Sequence, residues 1–380
     1  MLQGQITEGN NAPLFYLIQK ELSQLINYRY PYSWQGEWYV QEPRSQIVLR
    51  LISNISLSLS AAFIFYFFAR QYSFVVGVYG LFSFLANMSV WLFWSEARPY
   101  ALWIFLSTLQ GLIFLKLIYS PSPNPSPEGR GSTCVLLSQE KEEALVLPLP
   151  RGEEIGEGKN LSAFRWLCAV HLGLAFTTSL SVIQIILVSV LIGFACKLKP
   201  TFLNYGFLTF LPLSIGIFYF TQAPHYSFRC PQSFGQLIEP CLSGEQGIVL
   251  GSYFLLLVGI YLGQTFWAQS SRRWPPEGLL FFCFLGLMLM AAGVLVVFYK
   301  ATEPYGNRQF EFLTRYLLFL TPVGILAQTL ACAQAFKMLE RKPFWRLNLV
   351  LGLAGILAIG FLKSDPLWLW VVYLKNSLSL

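Results

Sequence analysis

Long apolar runs alternate with short polar segments along most of the chain. Each run approaches the roughly 20 residues with which an α-helix crosses about 30 Å of hydrocarbon. The pattern predicts an all-α fold, a polytopic integral membrane helical bundle of about ten transmembrane helices. The predicted spans cover residues 46–68, 73–94, 101–119, 163–179, 181–197, 202–221, 247–267, 278–299, 316–336 and 347–362.

Three segments lie outside the predicted spans. Residues 1–45 are polar or aromatic and are predicted to form an external, amphipathic juxtamembrane segment. Residues 120–160 are rich in proline, glycine and charge, which predicts a disordered cytoplasmic insertion because such a composition buries too little apolar surface to order itself. This insertion separates transmembrane helices 1–3, within residues 46–119, from helices 4–10, within residues 161–362. Residues 363–380 are predicted to form an external tail.

Lysine and arginine in the short loops indicate the orientation, because these residues favour the cytoplasmic side of a membrane. With ten spans, the loops that carry most of the lysine and arginine residues all fall on the same side of the membrane. These loops are assigned to the inside. The loop between the second and third spans then faces outwards, with both termini. The chain is predicted to be a multi-pass protein of the plasma (inner) membrane whose active face is extracytoplasmic. The inside set is Arg70, Lys197, Lys199, Arg272, Arg273, Lys337, Arg341, Lys342 and Arg346.

Composition agrees with a membrane protein. Hydrophobic residues make up 55% of the 380-residue chain and charged residues 12%, about half the share usual in soluble proteins. The net charge of +7 is spread between the spans, so no basic face for nucleic acid is predicted.

Metal and nucleotide sites find little support in the sequence. No C-x-x-C pair occurs, and His171 and His225 alone cannot form a metal site. A carboxylate site for a divalent metal stays open, and no other cofactor is predicted. No glycine-rich nucleotide loop is present. Cys230 and Cys241 share one polar loop and can form a disulfide if that loop faces an oxidising compartment.

The segment Ser95–Leu102 interrupts the apolar pattern between the second and third spans with Glu96, Arg98 and Pro99. It is either a polar loop anchored to lipid headgroups or part of a site at the membrane rim. Its sequence, Ser-Glu-Ala-Arg-Pro-Tyr-Ala-Leu, resembles the Ser-x-Glu-Ala-Arg-x-Tyr-x-Leu motif of GT-C superfamily membrane glycosyltransferases. The most similar branch is that of the protein mannosyltransferases and aminoarabinose transferases.

Three further segments are similar to motifs of that family and occur in the same order. Asn11–Tyr16 resembles its His-Pro-Pro-Leu-Tyr-Tyr segment, and Val48–Ser53 resembles its Leu-Arg-Leu-Pro-Ser span start. Thr314–Leu318, followed by Pro322, resembles the Arg-Tyr-Leu…Pro entry of a late span. The four matches together extend over most of the chain apart from the insertion.

The resemblance implies an inverting hexosyl or pentosyl transferase that moves a sugar from a polyprenyl-phosphate carrier to a lipid, glycan or protein acceptor. Membrane lipids are the remaining expected partner. Arginine suits the phosphate left by the broken bond, because its planar fork binds two phosphate oxygens. Simpler roles stay open, since arginines also anchor helices and tyrosines line membrane interfaces. The expected substrate- and phosphate-binding residues are Glu96, Arg98, Tyr100, Arg308, Arg315 and Tyr316.

An acceptor hydroxyl must also lose its proton to a nearby base. The resemblance places this base, usually an aspartate, in a first external loop after an amino-terminal span. Here the first aspartate of the chain is Asp365, so Glu8 is the candidate base and an amino-terminally truncated chain is predicted. Two alternatives stay open: an inactive remnant or partner subunit of the same fold, and a lipid-carrier flippase or transporter.

Overall fold

A computed structural model describes residues 12–25, 43–94, 98–119, 156–195, 206–222, 276–301 and 318–338. These residues fold into helices and turns, and no strand occurs among them. This confirms the all-α prediction for the described part. The predicted spans at 247–267 and 347–362, most of the 120–160 insertion and the 363–380 tail lie outside the described residues.

Ten α-helices and two irregular helical turns follow one another in the described part of the chain. The turns are a 3-10 turn at Ser179–Ser181 and a π-helical turn at Gly206–Phe210. The α-helices are α1 Leu14–Leu25, α2 Pro43–Gln71, α3 Phe74–Leu85, α4 Met88–Trp94, α5 Tyr100–Tyr119, α6 Gly156–Thr177, α7 Val182–Ala195, α8 Leu211–Gln222, α9 Pro276–Ala301 and α10 Leu320–Met338.

Two helices in the described residues are long and apolar enough to cross a membrane. They are Arg50–Gln71 within α2 and Tyr100–Ile118 within α5. Shorter apolar helical segments occur at Phe74–Leu85, Ser179–Gly193, Gly206–Tyr219 and Cys283–Val294. A bundle of about ten spans therefore stays a prediction, whereas the first and third predicted spans coincide with α2 and α5.

The outward faces of several helices are apolar, as expected for association with a membrane. Large hydrophobic side chains are exposed on α2, α6, α8 and α9, although each of these helices buries another face against its neighbours. An isolated exposed hydrophobic residue is normal on any protein, whereas exposed apolar faces on several helices agree with association with a membrane. Examples are Phe63, Tyr66, Trp166, Ile217, Phe218, Met290 and Val294.

The second predicted span, residues 73–94, is divided into α3 and α4. The Asn87 side-chain oxygen accepts hydrogen bonds from the backbone N–H groups of Ser89 (3.0 Å) and Val90 (3.4 Å). This is the bonding pattern of an asparagine that caps a new helix, and it competes with continuation of the old one. The Trp91 indole N–H donates to the Leu85 carbonyl, which satisfies an acceptor at the end of α3.

The α10 helix lies in the middle of the described bundle, and every residue from Leu318 to Ala333 along it is buried. It is rich in small residues, which let neighbouring helices approach closely. A Cβ atom added to Gly80 of α3 would lie 2.9 Å from the Thr329 methyl group, so these two helices are in tight contact.

The boundaries of two predicted segments differ in the structure. The α6 helix begins at Gly156, inside the range assigned to the insertion, so residues 156–160 are helical. The amphipathic stretch near the amino terminus forms the 12-residue helix α1. Its inward side includes Phe15, Gln19 and Ser23, and its outward side carries Lys20 and Glu21.

Candidate functional site

The candidate site is built around the start of α5. Pro99 directly precedes the first residue of this helix, and its carbonyl accepts the Trp103 backbone N–H (2.9 Å), the first hydrogen bond of α5. A residue that precedes proline disfavours helical geometry, so Arg98 remains outside the helix. Its side chain is exposed. The sequence Arg98-Pro99 therefore places a guanidinium group at the end of a membrane-length helix.

Tyr100 is buried rather than open to solvent. Its ring meets the Phe93 ring edge to face, with centroids 5.0 Å apart. Only 8% of Tyr100 is exposed. The pair joins the end of α4 to the start of α5, so Tyr100 fixes the two ends of the turn that carries Arg98. Contact between Tyr100 and a substrate stays a prediction.

A small apolar cluster brings three of the four family-like segments together. We call it the motif cluster: Phe15 of α1, Ile52 of α2 and Leu102 of α5. Phe15 is completely buried, and Ile52 and Leu102 are 6% and 7% exposed. The three residues are far apart in the sequence, so this contact is a property of the fold alone.

Phe319, directly after the fourth segment, contacts the same end of α5. The Trp103 ring, next to Leu102, lies 6.0 Å from the Phe319 ring. Phe319 directly follows Leu318, the last residue of the Thr314–Leu318 segment. The motif cluster and Phe319 thus lie at one end of the bundle, which we call the motif end.

The end of α6 also lies at the motif end, where a backbone hydrogen bond joins it to the segment before α1. The Ala12 N–H donates to the Thr177 carbonyl (3.0 Å). The predicted topology puts the amino terminus, the start of α5 and the end of the fourth span on one side of the membrane. The contacts among Ala12, Thr177 and the motif cluster agree with that arrangement.

Basic residues flank the motif cluster. Arg98 precedes Leu102 by about one helical turn, and the half-buried Arg50 precedes Ile52 by less than one turn. Arg70 lies at the opposite end of α2, 20 residues and therefore about 30 Å from Arg50. That separation matches the thickness of the hydrocarbon layer. Arg50 and Arg98 thus share one rim of the bundle, and Arg70 lies at the other.

The other predicted site residues lie outside the described part of the chain. They are Glu8, Glu96, Arg308, Arg315 and Tyr316. Within the described ranges, no three His, Cys, Asp or Glu side chains come together in a group that could hold a metal ion. Cys168, Cys283 and Cys332 are free thiols.

A buried polar network inside the bundle was missed by sequence reasoning. The Gln184 side chain of α7 donates to the Ser107 hydroxyl of α5 (3.2 Å), and the Gln110 side-chain nitrogen of α5 lies 3.0 Å from His171 Nε2 of α6. All four residues are buried. We call them the core network. The signal was present as isolated polar residues within apolar runs, which membrane helices retain when the residues have partners.

The core network does not form an open polar path. Each member is at most 1% exposed, and each bonds to another member or to a backbone carbonyl. Buried amide and imidazole groups that satisfy one another in this way hold helices together.

A buried donor without a partner lies at the motif end itself. The Trp103 indole N–H has no hydrogen-bond acceptor among the described residues, although Trp103 is 1% exposed. Burying such a group costs free energy, because its bond to water is lost and not replaced. The Thr321 hydroxyl, near the start of α10, is unsatisfied as well.

Comparison of the chain with protein-family models, with curated proteins and with solved structures gives no match.

Proposed function

We propose that this chain is a membrane glycosyltransferase of GT-C type, which moves a sugar from a polyprenyl-phosphate carrier to an acceptor on the extracytoplasmic face. The observation that carries the proposal is the meeting of three family-like segments in the motif cluster, beside a ring contact that involves Phe319, the residue directly after the fourth segment. A polar loop that only connected two helices would need no such partners. A catalytic site assembled from several helices does need them.

The arrangement suits a lipid-linked phosphate. The apolar perimeter of the bundle can lie against a polyprenyl chain, while the phosphate reaches the rim where Arg98 is exposed and Arg50 is half-buried. Cleavage of the bond between sugar and phosphate leaves a phosphate dianion. Preplaced guanidinium groups stabilise this charge most where water is scarce.

The remaining roles follow from the resemblance. Arg308 and Arg315 add to the phosphate-binding set, and Glu96 and Tyr316 line the same site. Glu8 is the proposed base for the acceptor hydroxyl. Its carboxylate would take the proton as the hydroxyl oxygen attacks the sugar carbon, and the carrier phosphate would leave.

Transfer of radiolabelled sugar from a polyprenyl-phosphate donor tests the proposal, with the protein in lipid nanodiscs and lipid, glycan and peptide acceptors offered in turn. Arg98→Ala should lower turnover about 100-fold, by analogy with the loss of one preorganised charge-stabilising donor. Arg98→Lys should retain part of the activity, because it keeps the charge but not the planar fork.

Arg70→Ala is the matched control, because Arg70 is also an exposed arginine but lies at the other end of α2. It should leave turnover within about twofold of wild type, as is usual for exposed residues away from a site. Equal losses in Arg98→Ala and Arg70→Ala would contradict the proposed role of Arg98. A folded protein that binds the donor but transfers no sugar would support the alternative of an inactive relative or partner subunit.

The flippase or transporter alternative gains its support from the core network, since buried polar residues also occur on transport pathways. The network is closed within the described bundle, however, so it provides no route for a headgroup. Carrier-dependent scrambling of a fluorescent polyprenyl-phosphate analogue, without sugar transfer, would favour that alternative over the transferase.

A further inference from the structure

The π-helical turn at Gly206–Phe210 has a cause in the sequence. In an α-helix, the backbone N–H of one residue donates to the carbonyl four residues earlier. Pro212 has no N–H, and it lies four residues after Leu208. The Leu208 carbonyl therefore lacks its usual donor, and the proline ring crowds the same carbonyl. The chain forms a π-helical turn at this place and continues as α8 from Leu211.

His171 provides a side-chain donor for this carbonyl. Its Nδ1 atom lies 2.8 Å from the Leu208 carbonyl oxygen. A carbonyl only accepts hydrogen bonds, so Nδ1 carries the proton. In the neutral ring Nε2 is then an acceptor, and the Gln110 amide donates to it across 3.0 Å. The ring of His171 thus connects the interrupted segment to α5.

The rest of the core network extends this connection. The Gln110 amide also donates to the Gln184 backbone carbonyl (3.5 Å), and the Gln184 side chain bonds to Ser107. The bonds therefore run from the turn before α8, through α6, to α5 and α7. Each partner is buried, so any broken bond leaves a polar group without water.

Elsewhere α8 packs against α6 and α7 through one face, on which the Tyr219 ring meets the Phe176 ring of α6 with centroids 6.2 Å apart. Pro212 and Gly216 are buried, and a Cβ atom on Gly216 would clash with the Val182 side chain of α7. Leu211, Ile217 and Phe218 are exposed. A helix that begins at a proline-interrupted turn and packs along a single face can pivot at that turn.

We propose that the Gly206–Phe210 turn is a hinge about which α8 reorients, and that the hydrogen bond from His171 to the Leu208 carbonyl is the latch that holds it closed. The latch works by giving the Leu208 carbonyl a side-chain donor where Pro212 removes the α-helical one. This inference stands on the described contacts and is independent of the proposed transferase activity.

Four variants of the full chain in nanodiscs test the latch. His171→Leu removes the donor at similar size. His171→Asn keeps an N–H₂ group near the Nδ1 position. Pro212→Ala restores a backbone N–H for the Leu208 carbonyl, and the double variant His171→Leu/Pro212→Ala combines the two changes. The readouts are amide hydrogen exchange of the peptide 206–222 and the distance between spin labels at the exposed positions 166 and 218, with native cysteines replaced.

His171→Leu should raise exchange of the 206–222 peptide about tenfold and broaden the distribution of distances between the two labels. The reason is that local opening no longer has to break this buried hydrogen bond, so its free-energy cost falls. His171→Asn should stay within about threefold of wild type. The double variant should return to near wild-type exchange and a narrow distance, because Pro212→Ala makes the latch unnecessary.

Two results would overturn the latch: equal effects of His171→Leu and His171→Asn, or an effect of His171→Leu that persists unchanged in the Pro212→Ala background. Either would mean that the ring only fills space. Should His171→Leu fail to fold, recovery of folded protein in the double variant supports the latch, and failure of both overturns it. Faster exchange with an unchanged label distance would overturn the hinge.

Discussion

Truncation of Phe15 tests whether the motif cluster joins α1 to the bundle. Phe15 is completely buried against Ile52 and Leu102. Phe15→Ala therefore removes a full aromatic side chain from a packed site, which typically costs about 3–5 kcal/mol. Because α1 is only 12 residues long, this loss should undock α1 before the bundle unfolds.

At about 1.4 kcal/mol per factor of ten, that cost corresponds to a shift of about 10²- to 10³-fold in the docking equilibrium. The assay is amide hydrogen exchange of peptides from residues 14–25, with peptides of α5 as an internal reference. Exchange in α1 should rise by two to three orders of magnitude (~10²–10³) while α5 stays protected.

Leu25→Ala is the matched control, because Leu25 lies on the same helix but is 80% exposed. It should change exchange in α1 by less than about threefold, as expected for an exposed side chain. Equal exchange in the two variants would show that Phe15 does not hold α1 against the bundle. Sugar transfer should fall in Phe15→Ala as well, if the transferase proposal is correct.

Three further changes test the packing. A Cβ on Gly77 would lie 2.8 Å from a backbone oxygen of α2, so Gly77→Ala should lower the free energy of unfolding, measured by thermal unfolding in detergent, by about 1–3 kcal/mol. A Cβ on Gly293 would meet nothing within 4 Å, so Gly293→Ala should be neutral or stabilising by up to about 1 kcal/mol. A larger loss of stability in Gly293→Ala than in Gly77→Ala would contradict the packing. Asn87→Ala should lower the free energy of unfolding by about 1 kcal/mol through loss of the α4 cap, and Asn87→Ser should recover part of this loss. Equal stability of the two variants would argue against capping by Asn87. Trp103→Phe removes an unsatisfied N–H and should stay within about 1 kcal/mol of wild type, while Trp103→Ala should lose about 3–5 kcal/mol; a large loss in Trp103→Phe would show that the indole N–H has a partner.

The helices α2 and α5 could be predicted closely from the sequence alone. Both are apolar runs of membrane length with a charged residue at one boundary. Arg70 lies in the last turn of α2, and Arg98 lies just before the start of α5. In hydrocarbon the backbone must satisfy its own hydrogen bonds, so a long apolar run has few alternatives to a helix. The position of Arg98 just outside α5 also follows from local chemistry, because Pro99 determines where the helix begins.

The division of residues 73–94 was missed, although its cause is local. Asn87 lies within an apolar run, and a single polar residue there was interpreted as part of a continuous span. Whether an asparagine caps a new helix or faces a neighbour depends on the surrounding packing. In the structure its side chain bonds to the backbone of Ser89 and Val90, and α4 starts anew.

Local sequence is sufficient to predict that the described residues are helical and apolar, that α2 and α5 are long enough to span a membrane, and that Arg98 lies just before the start of α5. These properties depend on residues near one another along the chain. Tertiary structure alone decided that Phe15, Ile52 and Leu102 meet, and that His171 serves the Leu208 carbonyl. Such contacts join segments many tens of residues apart, because several helix faces are equally apolar and only close packing and the pairing of buried polar groups select among them.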